Sequence, residues 1–295
     1  MEGFDWLLLW EVSLAGLGTG GLYAVTALAF VLIYKATRVV NLAIGEILML
    51  GAYLFFAFAS GLALPVWLAI PLAVLGGGIF GAVVERTVIR PMLGESPISV
   101  FMVTIGLGSM LVGVVELVWT PDPQRLPEFF PSDPIFIGEA YLSPKIGYGA
   151  LAAAVVIAGF LLAFRFWRGG VALRATAADQ QAAYGMGINV PGVFSLAWTL
   201  GCMAAAGAGI LVGAIGGISP TMGVFGLSVL VVVIVGGLDS IAGALFGGIL
   251  IGMVEGLAGA YLGGEFKLLA TFSLLVVVLM LRPHGLFGTP EIERL

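Results

Sequence analysis

Catalytic chemistry needs nucleophiles and bases within reach of one another, and this chain offers few. It has one histidine, His284, in an Arg-Pro-His-Gly turn, and one cysteine, Cys202, inside an apolar run. With no Cys or His cluster to hold a metal and no Ser/His or Cys/His couple close in sequence, Cys202 reads as a small buried hydrophobe and His284 as a membrane-edge residue. Lys35, Lys145 and Lys267 follow Tyr34, Pro144 and Phe266. There is therefore no Gly-Lys-Ser/Thr phosphate loop, and the chain is not expected to hydrolyse ATP itself. Three carboxylates, Glu46, Glu116 and Glu255, sit in apolar segments. Each costs about 3 kcal/mol if it faces lipid ionised, so each is expected to face the protein interior, water or a partner. Without paired bases they make a thin proton relay.

The stretch RFWRGGVALRATAADQQAAYGMGINVPG, residues 165–192, holds chemistry of a different kind. Thr176 to Asp179 has the Thr-x-x-acid spacing of a capped helix start, 177–184 is strongly helix-forming, and Gly185 and Gly187 supply stop signals. Asn189 and Pro191 then open the next apolar segment as N-cap and early-turn proline, joining the short helix to it by a tight elbow. An ordinary connector would need neither the alanine-rich face, which includes Ala182 and Ala183, nor the two glycines. A face of small residues lets another protein dock closely over it.

The elements that position these residues belong in lipid. The composition is 60% hydrophobic and 10% charged with a mean hydropathy of +1.14, which describes a polytopic membrane protein, all-α, with residues 1–295 forming one helix-bundle domain. Nine spans are expected, at 12–34, 42–60, 63–84, 97–118, 148–166, 191–214, 223–238, 241–262 and 266–281. The seventh is short, so 215–262 is also compatible with a re-entrant or broken helix and a total of eight to ten segments. If the spans alternate, Lys35, Arg38, Arg86, Arg90, Arg165, Arg168, Arg174, Arg282 and Arg294 fall on one side, against Arg125, Lys145 and Lys267 on the other. The positive-inside rule then puts the amino terminus outside, with Glu2, Asp5 and Glu11, and the carboxyl terminus in the cytoplasm. The absence of Lys or Arg before Lys35 argues against a cleaved signal peptide, so residues 1–34 are expected to stay in the mature protein. Four-residue glycine pairs at 16/20, 77/81, 209/213, 243/247 and 248/252 let helices approach closely. Gly18-Thr19-Gly20-Gly21 and Gly213 to Gly217 are dense enough to suggest unwound or easily bent helix. Residues 119–147 carry six prolines and four carboxylates, which favours a stiff, non-helical extracytoplasmic cap.

Several of these segments resemble a known family. QAAYGMG at 181–187 resembles the Glu-Ala-Ala-x-x-x-Gly motif of ABC importer permeases, with Gln181 where glutamate is usual, which keeps the hydrogen-bonding shape and loses a charge. LGTGGLYAVTALAFVLIY at 17–34, NLAIGEILMLGAYL at 41–54, ERTVIRPMLG at 85–94, VTIGLG at 103–108, VVVIVGGLDSIAGALFGGILIG at 231–252 and RPHGLFG at 282–288 narrow the likeness to LivH-type permeases for branched-chain amino acids and related small solutes. The resemblance implies the ABC importer permease fold in a prokaryotic inner membrane. It implies a second, LivM-like permease subunit, two ATPase subunits that use ATP and Mg, an extracytoplasmic solute-binding protein, surrounding lipid, and no nucleic acid. No cofactor is expected on this chain itself.

The resemblance also makes the helix from Ala175 to Gly187, with Thr176, Asp179, Gln181, Ala182, Ala183, Gly185 and Gly187, the coupling element in the ATPase cleft. Thr19, Tyr23, Asn41, Glu46, Thr104 and Ser109 are candidates for the translocation path, being polar residues in small-residue-rich spans that match the family. Asn41 and Glu46 serve equally well as structural groups that bond a helix end. Urea, short amides and small aromatic acids stay open as substrates beside hydrophobic amino acids. A passive channel would leave the inner helix without a role, and a secondary carrier usually shows ionisable pairs and two related halves.

Overall fold

The computed structural model describes residues 6–289; Glu2, Asp5 and Arg294, used above to orient the chain, lie outside them. Among the described residues, eight helices are long and apolar enough to cross a membrane by length and composition. They are α1 (Trp6–Thr37), α2 (Ile44–Phe56), α3 (Val66–Val84), α4 (Pro97–Trp119) and α5 (Pro144–Phe166), then, after the short α6 (Arg168–Ala178) and α7 (Gln180–Gly185), α8 (Val190–Gly216). The last three elements are α9 (Phe225–Gly236), α10 (Ile241–Tyr261) and α11 (Lys267–Leu281), of which α9 is too short to count among the eight. One π-helical turn extends α2 over Ala57–Gly61 and another extends α3 over Glu85–Ile89.

Helix α1 is the axis of the bundle. Every residue from Leu22 to Ile33 is buried, as befits a helix that is apolar all round. It can be surrounded because its neighbours present glycine. A Cβ at Gly20 would lie 2.8 Å from the Cα of Ile249, and one at Gly248 would lie 2.6 Å from the amide of Ala24. Gly77 and Gly81 do the same for α3 against Cys202 and Ala206 of α8. The expectation that glycine pairs mark close helix contacts holds here. Gly18-Thr19-Gly20-Gly21, expected to bend, is instead continuous helix within α1; its glycines meet α5 at Ile146 and α10 at Ile249, so their density serves packing on two sides. Replacing Gly248 with leucine should therefore overpack the α1–α10 contact by about 1–3 kcal/mol. A fall of several degrees in the melting temperature in detergent would report it.

The break expected near residues 213–217 is real. Helix α8 stops at Gly216, Gly217 adopts φ +82°, and Ile218 exchanges two backbone hydrogen bonds of 2.8 Å with Gln124. A 3₁₀ turn at Pro220–Val224 then leads into α9, whose 12 residues reach only about 18 Å. At its far end α9 is clamped. The amides of Leu286 and Phe287 donate to the carbonyls of Val235 and Gly236 at 2.8 and 2.9 Å, so the segment after α11 supplies partners that the helix terminus lacks. Gly237 and Gly285 allow that close approach with φ of +112° and +78°.

The two ends of the bundle differ. One gathers the carboxyl end of α1, α6, α7 and the turn after α9, with Lys35 Nζ donating to the Asp239 carbonyl at 2.7 Å and Gln180 Nε2 to the Ala36 carbonyl at 3.1 Å. The opposite end carries residues 120–143, non-helical as expected of the cap placed over 119–147, whose edges, Trp119 and Pro144 to Gly147, belong instead to α4 and α5. Its hairpin pairs β1 (Ile135–Ile137) with β2 (Ala140–Leu142), the rings of Phe129 and Phe130 pack together, and the Tyr141 amide donates to Glu11 at 2.8 Å.

Candidate functional site

The connector between α1 and α2 does not run along the bundle surface. Leu42 donates its amide to the hydroxyl of Thr104, two turns into α4, at 3.3 Å, and that hydroxyl donates to the Phe101 carbonyl at 2.8 Å. Asn41 Oδ1 accepts from the Ala43 amide at 3.1 Å. Helix α2 therefore starts inside the bundle, where its first turn meets the first turn of α9: a Cβ at Gly45 would lie 2.8 Å from the Cα of Gly226, and one at Gly226 2.7 Å from the Cα of Gly45. Glu46, in the first turn of α2, stands level with Gly108, halfway along α4. The cause is the inward-running connector, which sets the whole start of α2 beside the middle of α4.

At this junction of α2, α4 and the break before α9 lies a cavity of about 390 Å³. Its polar side chains are Asn41, Glu46, Thr104 and Ser109, set among Phe30, Ile44, Ile105, Val112, Leu227 and Leu230. Four of the six residues expected on a path are thus brought together. Ile105, Ser109, Val224 and Leu227 are exposed, so the cavity opens on the flank of the bundle.

Thr19 and Tyr23 are elsewhere. They line a second cavity, about 430 Å³, with Glu255 and Lys267. The Thr19 hydroxyl donates to the Gly16 carbonyl of its own helix at 3.1 Å. Tyr23 Oη donates to Glu255 at 2.5 Å, and Ser228 and Thr271 donate to the same carboxylate at 3.0 and 2.8 Å. Glu255 so joins α1, α9, α10 and α11, and faces the protein interior as expected. Glu116 is exposed, one turn before the end of α4.

The polar stretch after α5 departs from its expected form. Helix α6 already begins at Arg168, because Gly170 lets it fold back against the end of α5, where a Cβ would lie 2.8 Å from the Ala163 carbonyl. Thr176, expected to cap the coupling helix, is buried within α6. The cap is Asp179, which has extended backbone and accepts from the amides of Gln181 and Ala182 at 2.8 and 2.9 Å. The single helix expected over 175–187 is thus two, broken at Asp179, since a carboxylate that satisfies two orphan amides starts a new helix more readily than it extends an old one. Ala183 is buried against the bundle; Gln181, Ala182 and Gly185 are exposed, and Tyr184 and Met186 are 72% and 84% exposed. Gly187 ends the motif at φ +84°. Asn189 caps α8 as expected, accepting from the Gly192 amide at 3.2 Å.

Beside this elbow is a cluster that sequence reasoning missed. Glu85 is 1% exposed and receives both Arg90 Nε at 3.0 Å and Arg90 Nη2 at 2.9 Å, while Ser195 Oγ donates to it at 2.5 Å. The same guanidinium donates to the Pro191 carbonyl at 3.2 Å. The end of α3 is thereby tied to the first turns of α8.

Residues 12–281 match the family described as branched-chain amino acid transport system / permease component. The chain is 31% identical to the high-affinity branched-chain amino acid transport system permease protein LivH of Salmonella typhimurium and 30% identical to its counterpart BraD of Pseudomonas aeruginosa, in each case over 95% of both chains. It is 25% identical to the probable branched-chain amino acid transport permease protein LivH of Methanocaldococcus jannaschii, over 90% of this chain and 89% of that one. Among solved structures, PsaBC from Streptococcus pneumoniae in complex with Fab shares the fold at a TM-score of 0.51 and 11% identity, covering 96% of this chain and 94% of that one.

Proposed function

Because this chain belongs to the family of branched-chain amino acid transport system permease components, we propose that it forms half of the translocation path of an ATP-driven importer for branched-chain or other hydrophobic amino acids. The observation that carries the reading is the elbow: α7 stands exposed on the end of the bundle richest in Lys and Arg and is fastened to two long helices. A displacement of α7 is passed to α1 through Gln180 and to α8 through the Asn189 cap. That end faces the cytoplasm by the positive-inside rule. Two ATPase subunits dock there, and they, not this chain, bind ATP and Mg. The cavity on the bundle flank is half a passage, closed by a second, homologous permease subunit. The cap over 120–143 receives an extracytoplasmic binding protein that delivers the solute.

The test is purification in mild detergent after expression with the neighbouring genes, with every stoichiometric companion identified by mass spectrometry. Two ATPase subunits and a second permease are expected. A clean homo-oligomer without an ATPase would return the chain to the channel and carrier readings.

A further inference from the structure

The cavity at the start of α2 has a chemical asymmetry that narrows what can pass it. Glu46 makes no ion pair among the described residues, and the cavity lining contains no Lys, Arg or His. A carboxylate at this depth is costly until a cation meets it. The space in front of it is kept open by two glycines: a Cβ at Gly223 would lie 2.9 Å from Glu46 Oε1, and one at Gly108 would lie 3.2 Å from its carboxyl carbon.

In the same lining, Asn41 is fully buried and its Nδ2 has no hydrogen-bond partner, while Oδ1 is held by the Ala43 amide. A buried donor left unpaired costs about 1–3 kcal/mol. The cavity lining thus holds one group that wants a cation and, buried in its wall, one donor that wants an acceptor, both among Phe30, Ile44, Ile105 and Leu230.

We propose that this cavity is a two-point recognition site for the zwitterionic head of a free α-amino acid, with Glu46 receiving the ammonium group, Asn41 Nδ2 donating to the carboxylate, and the apolar walls receiving the side chain. The proposal rests on the importer reading and goes beyond it by assigning the substrate contacts within the membrane. It also separates the candidate solutes. Urea and short amides carry no cation to meet Glu46, and aromatic acids bring a second negative charge to it.

The test uses the purified membrane complex with its companion subunits and a hydrophobic carbodiimide, with labelling of Glu46 read by mass spectrometry of the peptide that contains it. L-leucine at saturating concentration is expected to cut Glu46 labelling at least fivefold, while urea and 4-methylpentanoate leave it unchanged. Glu255, already receiving three hydroxyls, serves as the reference that leucine does not move. Asn41→Ala should keep Glu46 reactive and lose most of the protection by leucine. No labelling of Glu46, no protection by leucine, or equal protection by urea or 4-methylpentanoate would each overturn the proposal, and none of these readouts depends on the Asn41 variant folding. ATP-driven uptake of L-leucine by the wild-type complex in vesicles is measured in parallel. Absence of uptake would sink the importer reading, whereas uptake without protection would sink this site alone.

Discussion

Replacing Arg90 with alanine lowers the stability of the chain by about 2 kcal/mol, seen as a melting transition several degrees lower in detergent or nanodiscs. The replacement leaves Glu85, 1% exposed, without its cation. Breaking a buried pair from one side costs about 3–5 kcal/mol, because the stranded charge keeps its desolvation penalty. The figure is reduced here because the Arg90 side chain is 36% exposed and Ser195 still donates to the carboxylate. The double variant Glu85→Gln with Arg90→Ala should recover part of the loss, since a neutral amide in place of the carboxylate removes the unpaired charge. Arg90→Lys should fall between, because an ammonium cannot make the two-pronged contact. If Arg90→Ala melts with wild-type protein, or the double variant is worse than the single by the full cost of Glu85→Gln, the cluster is not a strut between α3 and α8.

Gly187→Val is expected to abolish substrate-stimulated ATP turnover in the assembled transporter while the chain still inserts and melts near the wild-type temperature. No atom would crowd a Cβ at this position, so the obstacle is the backbone itself, held at φ +84°. A β-branched residue strongly resists that conformation. The turn would then take another path between α7 and the Asn189 cap, and α7 would no longer push on α8 in a fixed direction. Gly187→Asn tolerates positive φ and should retain most of the stimulation. Stimulation that survives in the valine variant would remove the lever assignment from this elbow.

How far the sequence could be read depended on whether a residue's partner lay nearby in the chain. Asn41, Glu46, Thr104 and Ser109 stood out as polar residues in small-residue-rich segments that resemble the family, and they do share one cavity. Thr19 drew the same inference, yet its hydroxyl is satisfied one turn back along its own helix. Tyr23 is spoken for by Glu255, 232 residues away, a pairing no spacing rule could reveal. The nine apolar runs all became helices, and the shortness of the seventh correctly marked the broken one. The start of helix α6 at Arg168 was not expected, since what lets it fold there is the close approach of Gly170 to the end of α5, a tertiary contact. The Glu85–Arg90 pair, five residues apart, lies off the i+3 and i+4 spacings of an α-helix and meets only because the chain makes a π-helical turn over Glu85–Ile89. Its third member was further still from any spacing argument, since Ser195 lies 110 residues beyond Glu85.

The clamp on α9 also orders events in time. The carbonyls of Val235 and Gly236 find their partners in residues 286 and 287, some fifty positions later in translation. During insertion, then, α9 waits with that end unsatisfied while α10 and α11 enter the bilayer, and the half-helix that bounds the cavity is locked only when residues 286 and 287 follow them.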